Sequence, residues 1–176
     1  MPLAFARSIL ATGEAGPPSP PAGYIEYEDF DPSNTPVGSL VGWTRYGTHN
    51  FYAFGTGGTG VSFTRVAAGH SFARLYKNGA YDAGFGKKYA FVAGRTYQFQ
   101  TELCLNMGTN RVRLAIGTAG YRDNIVNLGE WAHDGCKVVS KTWVSTVTGE
   151  FFVNLRSVTT DTTGLFALLY WRITES

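Results

Sequence analysis

At 176 residues the chain is large enough for one domain that buries roughly 70% of the surface its unfolded form would expose, so no metal or disulfide framework is required. The 22 glycines, 15% aromatic and only 16% charged residues, with few helix-forming stretches, favour a sandwich or barrel with many tight turns. The net charge of +2 excludes little by itself. Its distribution puts Glu26, Glu28, Asp29 and Asp31 early and a basic majority between residues 36 and 120. Those bases are spread over several strands, so solvated faces are expected rather than a dedicated nucleic-acid surface.

Residues 1–23 form a separate N-terminal arm. Leu3, Phe5, Ile9 and Leu10 are apolar and seek burial, while Gly16-Pro17-Pro18-Ser19-Pro20-Pro21 imposes an extended path without sheet pairing. The arm is expected to dock on a partner through those four residues, leaving residues 24–176 to fold alone. Arg7 interrupts the apolar stretch, so a secretory signal is not expected.

Strands are then expected over Tyr24 to Phe30, Gly42 to Tyr46, Asn50 to Phe54, Val61 to Val66, Ser71 to Tyr76 and Lys88 to Val92. From Arg95 to Leu105, Tyr97, Phe99, Leu103 and Leu105 share one face and Thr96, Gln98, Gln100 and Glu102 the other. That period of two belongs to an extended strand with one wet face. Further strands follow over Arg111 to Ile116, Ile125 to Leu128, Lys137 to Val147, Glu150 to Ser157 and Leu165 to Thr174. The last is apolar in both phases, which reads as a central strand or one covered by another subunit through Leu169 and Trp171. At this spacing the strands fit two packed antiparallel sheets, and Leu165 to Trp171 is too short to span a bilayer.

Catalytic patterns fail on context. Gly55-Thr56-Gly57-Gly58-Thr59-Gly60 matches a dinucleotide fingerprint, but a strand follows where a helix must open. Gly69-His70-Ser71-Phe72-Ala73 resembles a degenerate nucleophile elbow, again without its helix. His49, His70 and His133 lack metal-ligand spacing, and the early acids lack a calcium-loop pattern. No enzyme, metal or cofactor is expected. Cys104 and Cys136 do not settle a disulfide by spacing, and two free thiols in a reducing compartment is the expectation.

Gly94-Arg95-Thr96-Tyr97-Gln98-Phe99, Arg111 to Gly117, Trp143 to Val147 before Gly149, Phe152 to Arg156 and Leu169 to Glu175 together resemble the carbohydrate-binding-module type of jelly roll found in bacteriophage virion proteins. The resemblance covers roughly residues 36 to 176. It implies an all-β, antiparallel jelly-roll β-sandwich with an extended N-terminal arm. It also implies a noncatalytic virion protein, assembled in the host cytoplasm, that decorates or cements the capsid and contacts the major capsid protein or another virion protein. By the same analogy a trimer is the expected homo-oligomer. Tyr170-Trp171 stands where the family often carries Asp-Asn, so calcium is not expected.

The alternative is a glycan-binding module of a tail fibre or tail tip that recognises a host surface. Sugar rings need aromatic platforms with hydrogen-bonding neighbours. Trp43, Tyr46, His49, Tyr52, Tyr121 and Trp131 are the candidates, lying in two stretches without a clear core period.

Overall fold

The computed structural model describes residues 20–28, 42–46, 49–56, 71–78, 83–105, 111–120, 122–132, 135–158 and 163–176; residues 45–46, 49–56, 71–78, 83 and 163–165 are described by backbone alone. Twelve strands make up the regular structure of this part: β1 (Tyr24–Glu28), β2 (Trp43–Tyr46), β3 (His49–Thr56), β4 (Ser71–Asn78), β5 (Ala83–Phe91), β6 (Thr96–Leu105), β7 (Val112–Gly117), β8 (Val126–Trp131), β9 (Gly135–Val144), β10 (Gly149–Ser157), β11 (Thr163–Leu168) and β12 (Trp171–Glu175). The arm residues Leu3, Phe5, Ile9 and Leu10, the expected strand Val61 to Val66, and Tyr121 lie outside the described residues.

All pairings are antiparallel and form two sheets. In the first, β6 pairs with β9 along one edge and with β11 and β12, placed end to end, along the other. β12 then carries β1, and β11 carries β4 followed by β3. The second sheet runs β2-β5-β10-β7-β8. The sheets face each other as an all-β, antiparallel jelly-roll sandwich.

Alternation along each strand builds the core. Tyr97, Phe99, Leu103 and Leu105 of β6 meet Phe85 and Phe91 of β5, Leu114 and Ile116 of β7, and Val153 and Leu155 of β10. Aromatic rings join the two sheets. Phe85 stacks on Phe166 at 5.4 Å, and Phe91 meets Tyr97 and Trp143 edge-on at 4.8 and 5.3 Å. An ion pair adds to this at one margin: Lys87 Nζ lies 2.6 Å from Glu26 Oε2, tying β5 to β1. Beside it the Tyr89 hydroxyl accepts a bond from Trp171 Nε1 at 3.1 Å. Burial, with Glu26 next in importance, holds the Tyr89 phenol well above its ordinary range.

The two-sided apolar pattern at the chain's end has a local cause. Opposite β6, Leu103 faces Leu168 and Phe99 faces Ile173, so four residue steps on one strand run against five on the other. The extra residue at Leu169–Tyr170 shifts the phase by one. Phe166, Leu168, Trp171 and Ile173 therefore all enter the same core. Thr101, polar yet buried, sits at this step and donates its hydroxyl to the Tyr170 carbonyl. Trp171 is fully buried within the single chain. No second subunit is needed to explain the pattern, and Trp171 is corrected from interface residue to core residue.

The expectation of free thiols is also corrected. Cys104 and Cys136 stand directly opposite each other on β6 and β9 and form a disulfide. Spacing could not reveal this because 32 residues separate them. The sheet register supplies the proximity. The bridge packs with Ala167 and half-buried Leu169 on the outer side of the first sheet.

Candidate glycan-binding face

Of the aromatics selected from sequence, Trp43 and Trp131 have described side chains, and they stand on the two opposite edge strands of the second sheet. Trp43 is buried in the core, edge-on to Phe85 at 5.0 Å and to Trp171 at 6.2 Å. That burial corrects its expected role as a sugar platform, because little of the ring is left for a ligand to reach. Trp131 is half-buried against the core, with Lys141 Nζ 5.8 Å from its ring centroid. Tyr46 is on β2 at one edge of the second sheet, and His49 and Tyr52 are on β3 at an edge of the first; their side chains lie outside the described part. Within those stretches, β2 and β8 form the two edges of the second sheet.

The outer face of that sheet carries the chemistry. Inward Val153 and Leu155 leave Phe152, Asn154 and Arg156 of β10 pointing outward. Register then sets their neighbours: Phe152 opposes Lys88 and Gly117, Asn154 opposes Gly86 and Ala115, and Arg156 opposes Gly84 and Arg113. Arg113 in turn opposes Glu130 on β8. Two cations directly opposite on neighbouring strands repel, so anions must stand between or beside them. Arg113 Nε and Nη2 donate to Glu130 Oε1 at 2.8 and 2.5 Å. Its Nη1 donates to Asp123 Oδ2 at 2.9 Å, and Arg156 Nη2 reaches the same oxygen at 3.1 Å. The hydrogen bond to Glu130, more than any other influence, holds the Arg113 guanidinium above its ordinary pKa.

Asp123 comes from the connection between β7 and β8, which folds back over the sheet. Asn154 Nδ2 donates to the carbonyls of Ala119 and Arg122 at 3.1 and 2.7 Å, pinning this loop. A Cβ on Gly117 would lie 2.0 Å from the Arg122 carbonyl oxygen, so only glycine admits the loop this close. On the other side of Asn154, Oδ1 leans over Gly86, 2.2 Å from where a Cβ would stand. That oxygen is buried and accepts no hydrogen bond. A buried acceptor left unmade costs on the order of 1–3 kcal/mol, a cost set against the two bonds by which the same amide holds the loop. Beside it the Lys88 ammonium lies 5.5 Å from the Phe152 ring centroid.

The face thus offers one half-buried ring, an exposed ammonium and a guanidinium–carboxylate network, walled by a loop that Asn154 pins. Such a set can hold a polyhydroxylated ligand through hydrogen bonds and ring contact. Among the described residues no group of three His, Cys, Asp or Glu side chains is placed to hold a metal ion. Lys88, Asn154, Phe152, Arg156 and Asp123 were not singled out from sequence, where the first four read as the wet phase of ordinary strands and Asp123 as part of a connection.

A second aromatic cluster lies on the outer face of the first sheet. Tyr24 and Tyr27 are exposed and meet edge-on at 5.1 Å. However, the Arg172 guanidinium carbon sits 3.4 Å from the Tyr27 ring centroid and 4.9 Å from that of Tyr170. Arg172 Nη1 is committed to the carbonyls of Glu28 and Trp171. A ring face of Tyr27 is therefore taken by the protein itself, which leaves the second sheet as the better site.

Comparison with known proteins places the fold among carbohydrate-binding-module jelly rolls. No protein-family model matches the chain, and no curated protein matches it. Among solved structures, the chain is similar to the xylan-binding domain of CBM22, formerly x6b, at 15% identity with a TM-score of 0.59, covering 88% of this chain and 96% of that one. It is similar to the Clostridium thermocellum xylanase 10B CBM22-1–GH10 structure complexed with xylohexaose, at 13% identity and a TM-score of 0.57, covering 88% of this chain but 28% of that chain. The K3 adhesin domain of Lys-gingipain from Porphyromonas gingivalis w83 matches at 16% identity and a TM-score of 0.57, covering 86% and 99% of the two chains. At these identities the likeness is one of fold.

Proposed function

We propose that the protein is a noncatalytic carbohydrate-binding module that holds glycan on the outer face of the β2-β5-β10-β7-β8 sheet. The observation that carries this reading is the outer face itself: the half-buried Phe152 ring and the exposed Lys88 ammonium lie beside a loop wall that Asn154 holds over the sheet. Phe152 is the ring platform for a sugar and Lys88 a donor to its hydroxyls. Similarity to structures described as xylan-binding supports a glycan as ligand. The Cys104–Cys136 disulfide is in keeping with work outside a reducing cytoplasm.

The alternative carried from sequence is a capsid-cementing protein anchored by its arm, in a virion. That reading rests on the motif resemblance, and nothing in the fold favours it over glycan binding. The deciding experiment is affinity electrophoresis and calorimetry of the folded chain against a panel of soluble plant and bacterial polysaccharides. Binding to at least one, weakened by about 1–2 kcal/mol in Phe152→Ala through loss of a partly buried ring, is expected. A correctly folded chain that binds none of them overturns the proposal.

A further inference from the structure

The two arginines of the face meet a single carboxylate oxygen, and the three groups are not equally held. Arg113 and Arg156 stand on paired strands with side chains only 23% and 15% exposed, whereas Asp123 comes from a loop and is 36% exposed. Arg113 is further oriented by Glu130, which takes its Nε and Nη2 and leaves Nη1 for the shared position. The cations are thus fixed by the sheet and the anion between them is the exchangeable partner. Guanidinium groups of neighbouring strands directed at one oxygen form a carboxylate subsite, and here the loop fills it with its own carboxylate.

Resting on the glycan-binding reading, we propose that the ligand is a carboxylate-bearing glycan, one that contains uronic acid residues, and that Asp123 is an internal occupant displaced when the ligand's carboxylate takes its place. Displacement exchanges one ion pair for another and turns the Asp123 carboxylate out to solvent, where its charge is screened. It need not release the whole loop, because Asn154 still holds the carbonyls of Ala119 and Arg122. The competing carboxylate lowers apparent affinity by the fraction of time it fills the subsite. Its partial exposure keeps that penalty small enough to be overcome.

The test compares a polyuronate with its own carboxyl-reduced form, so that backbone and linkage stay constant; polygalacturonate and its reduced galactan are the first pair, alginate and glucuronoxylan the next. For wild type, tighter binding of an acidic form and weakening with added salt are expected. Asp123→Asn should tighten binding of the acid by about three- to tenfold, and Arg156→Gln should erase the preference for it. Equal binding of acidic and reduced forms, or an Asp123→Asn variant that gains nothing while keeping the wild-type melting temperature, overturns the inference while leaving the glycan reading in place. Binding of neither form in any pair, with binding to other neutral polysaccharides, overturns it equally. Absence of all glycan binding removes the reading beneath it.

Discussion

Gly117 and Gly94 are both glycines for reasons that can be separated by experiment. At Gly117 a methyl group would lie 2.0 Å from the Arg122 carbonyl oxygen and 2.5 Å from its carbon. Gly117→Ala therefore forces the loop to withdraw by about 1.4 Å to reach ordinary contact distance. The bonds from Asn154 Nδ2 to Ala119 and Arg122, now 3.1 and 2.7 Å, then stretch beyond useful range. Losing two bonds from a buried amide costs about 2–4 kcal/mol. For a chain of this size that lowers the melting temperature by roughly 5–12 °C. At Gly94 nothing lies within 4 Å of the added carbon, but φ is +86°, so Gly94→Ala costs only about 1–2 kcal/mol of backbone strain. Calorimetry gives the two magnitudes, and hydrogen exchange locates them. The Ile125 amide, bonded to the Ile116 carbonyl at 3.1 Å, should lose protection in Gly117→Ala and keep it in Gly94→Ala. A Gly117→Ala protein that melts within about 1 °C of wild type, with Ile125 still protected, refutes the account of the loop as packed on the sheet.

Three further perturbations probe the frame. Replacing both Cys104 and Cys136 with alanine should cost about 3–4 kcal/mol in a urea titration, the scale of opening a loop of this length, and a cost under about 1 kcal/mol would argue against a bridge formed in solution. Trp171→Ala should lose about 3–5 kcal/mol as a buried ring replaced by a cavity, without changing sedimentation of the folded fraction; a variant that kept its stability but altered its assembly would restore the interface role. The raised Tyr89 phenol stays protonated above pH 10.0 while the unfolded chain ionises there. Its contribution to stability is therefore full below that pH and declines as pH rises through the folded-state value, and ultraviolet titration showing all tyrosines ionising at the ordinary value would contradict the burial argument.

Much of the sandwich was legible because period-two alternation leaves few architectures for a chain with so many glycines and rings. β6 reads almost unaided: Tyr97, Phe99, Leu103 and Leu105 are inward as expected. Where the local pattern misled, a long-range pairing was responsible. The chain from Leu165 to Thr174 reads as two-faced, and only its register against β6 reveals the added residue that folds both phases into one core. β5 was expected from Lys88 but begins at Ala83, since Gly84 and Gly86 look like turn residues until a loop-pinning asparagine is found lying against Gly86.

The site was hidden for the opposite reason. Large rings are the signal a sequence reader follows for sugar binding, and a sandwich of this size consumes them first: Trp43 and Trp171 in the core, Trp131 along its margin. What remains for a ligand is made from residues of low individual information. Arg113 and Arg156 are alternate positions on two strands far apart in sequence, and neither hints that the other is opposite. One faint signal did exist, an arginine in the wet phase of each of two otherwise apolar strands. It becomes meaningful only once β10 is known to lie between β5 and β7. Asn154 carries no such signal, because its burial is produced by a loop whose path depends on Gly117. A surface assembled by register, with β5, β7, β8 and β10 lending polar side chains and a connection lending Asp123, can change its chemistry through one or two substitutions while the alternating core stays intact. The likeness to solved structures at 13–16% identity is accordingly one of fold alone.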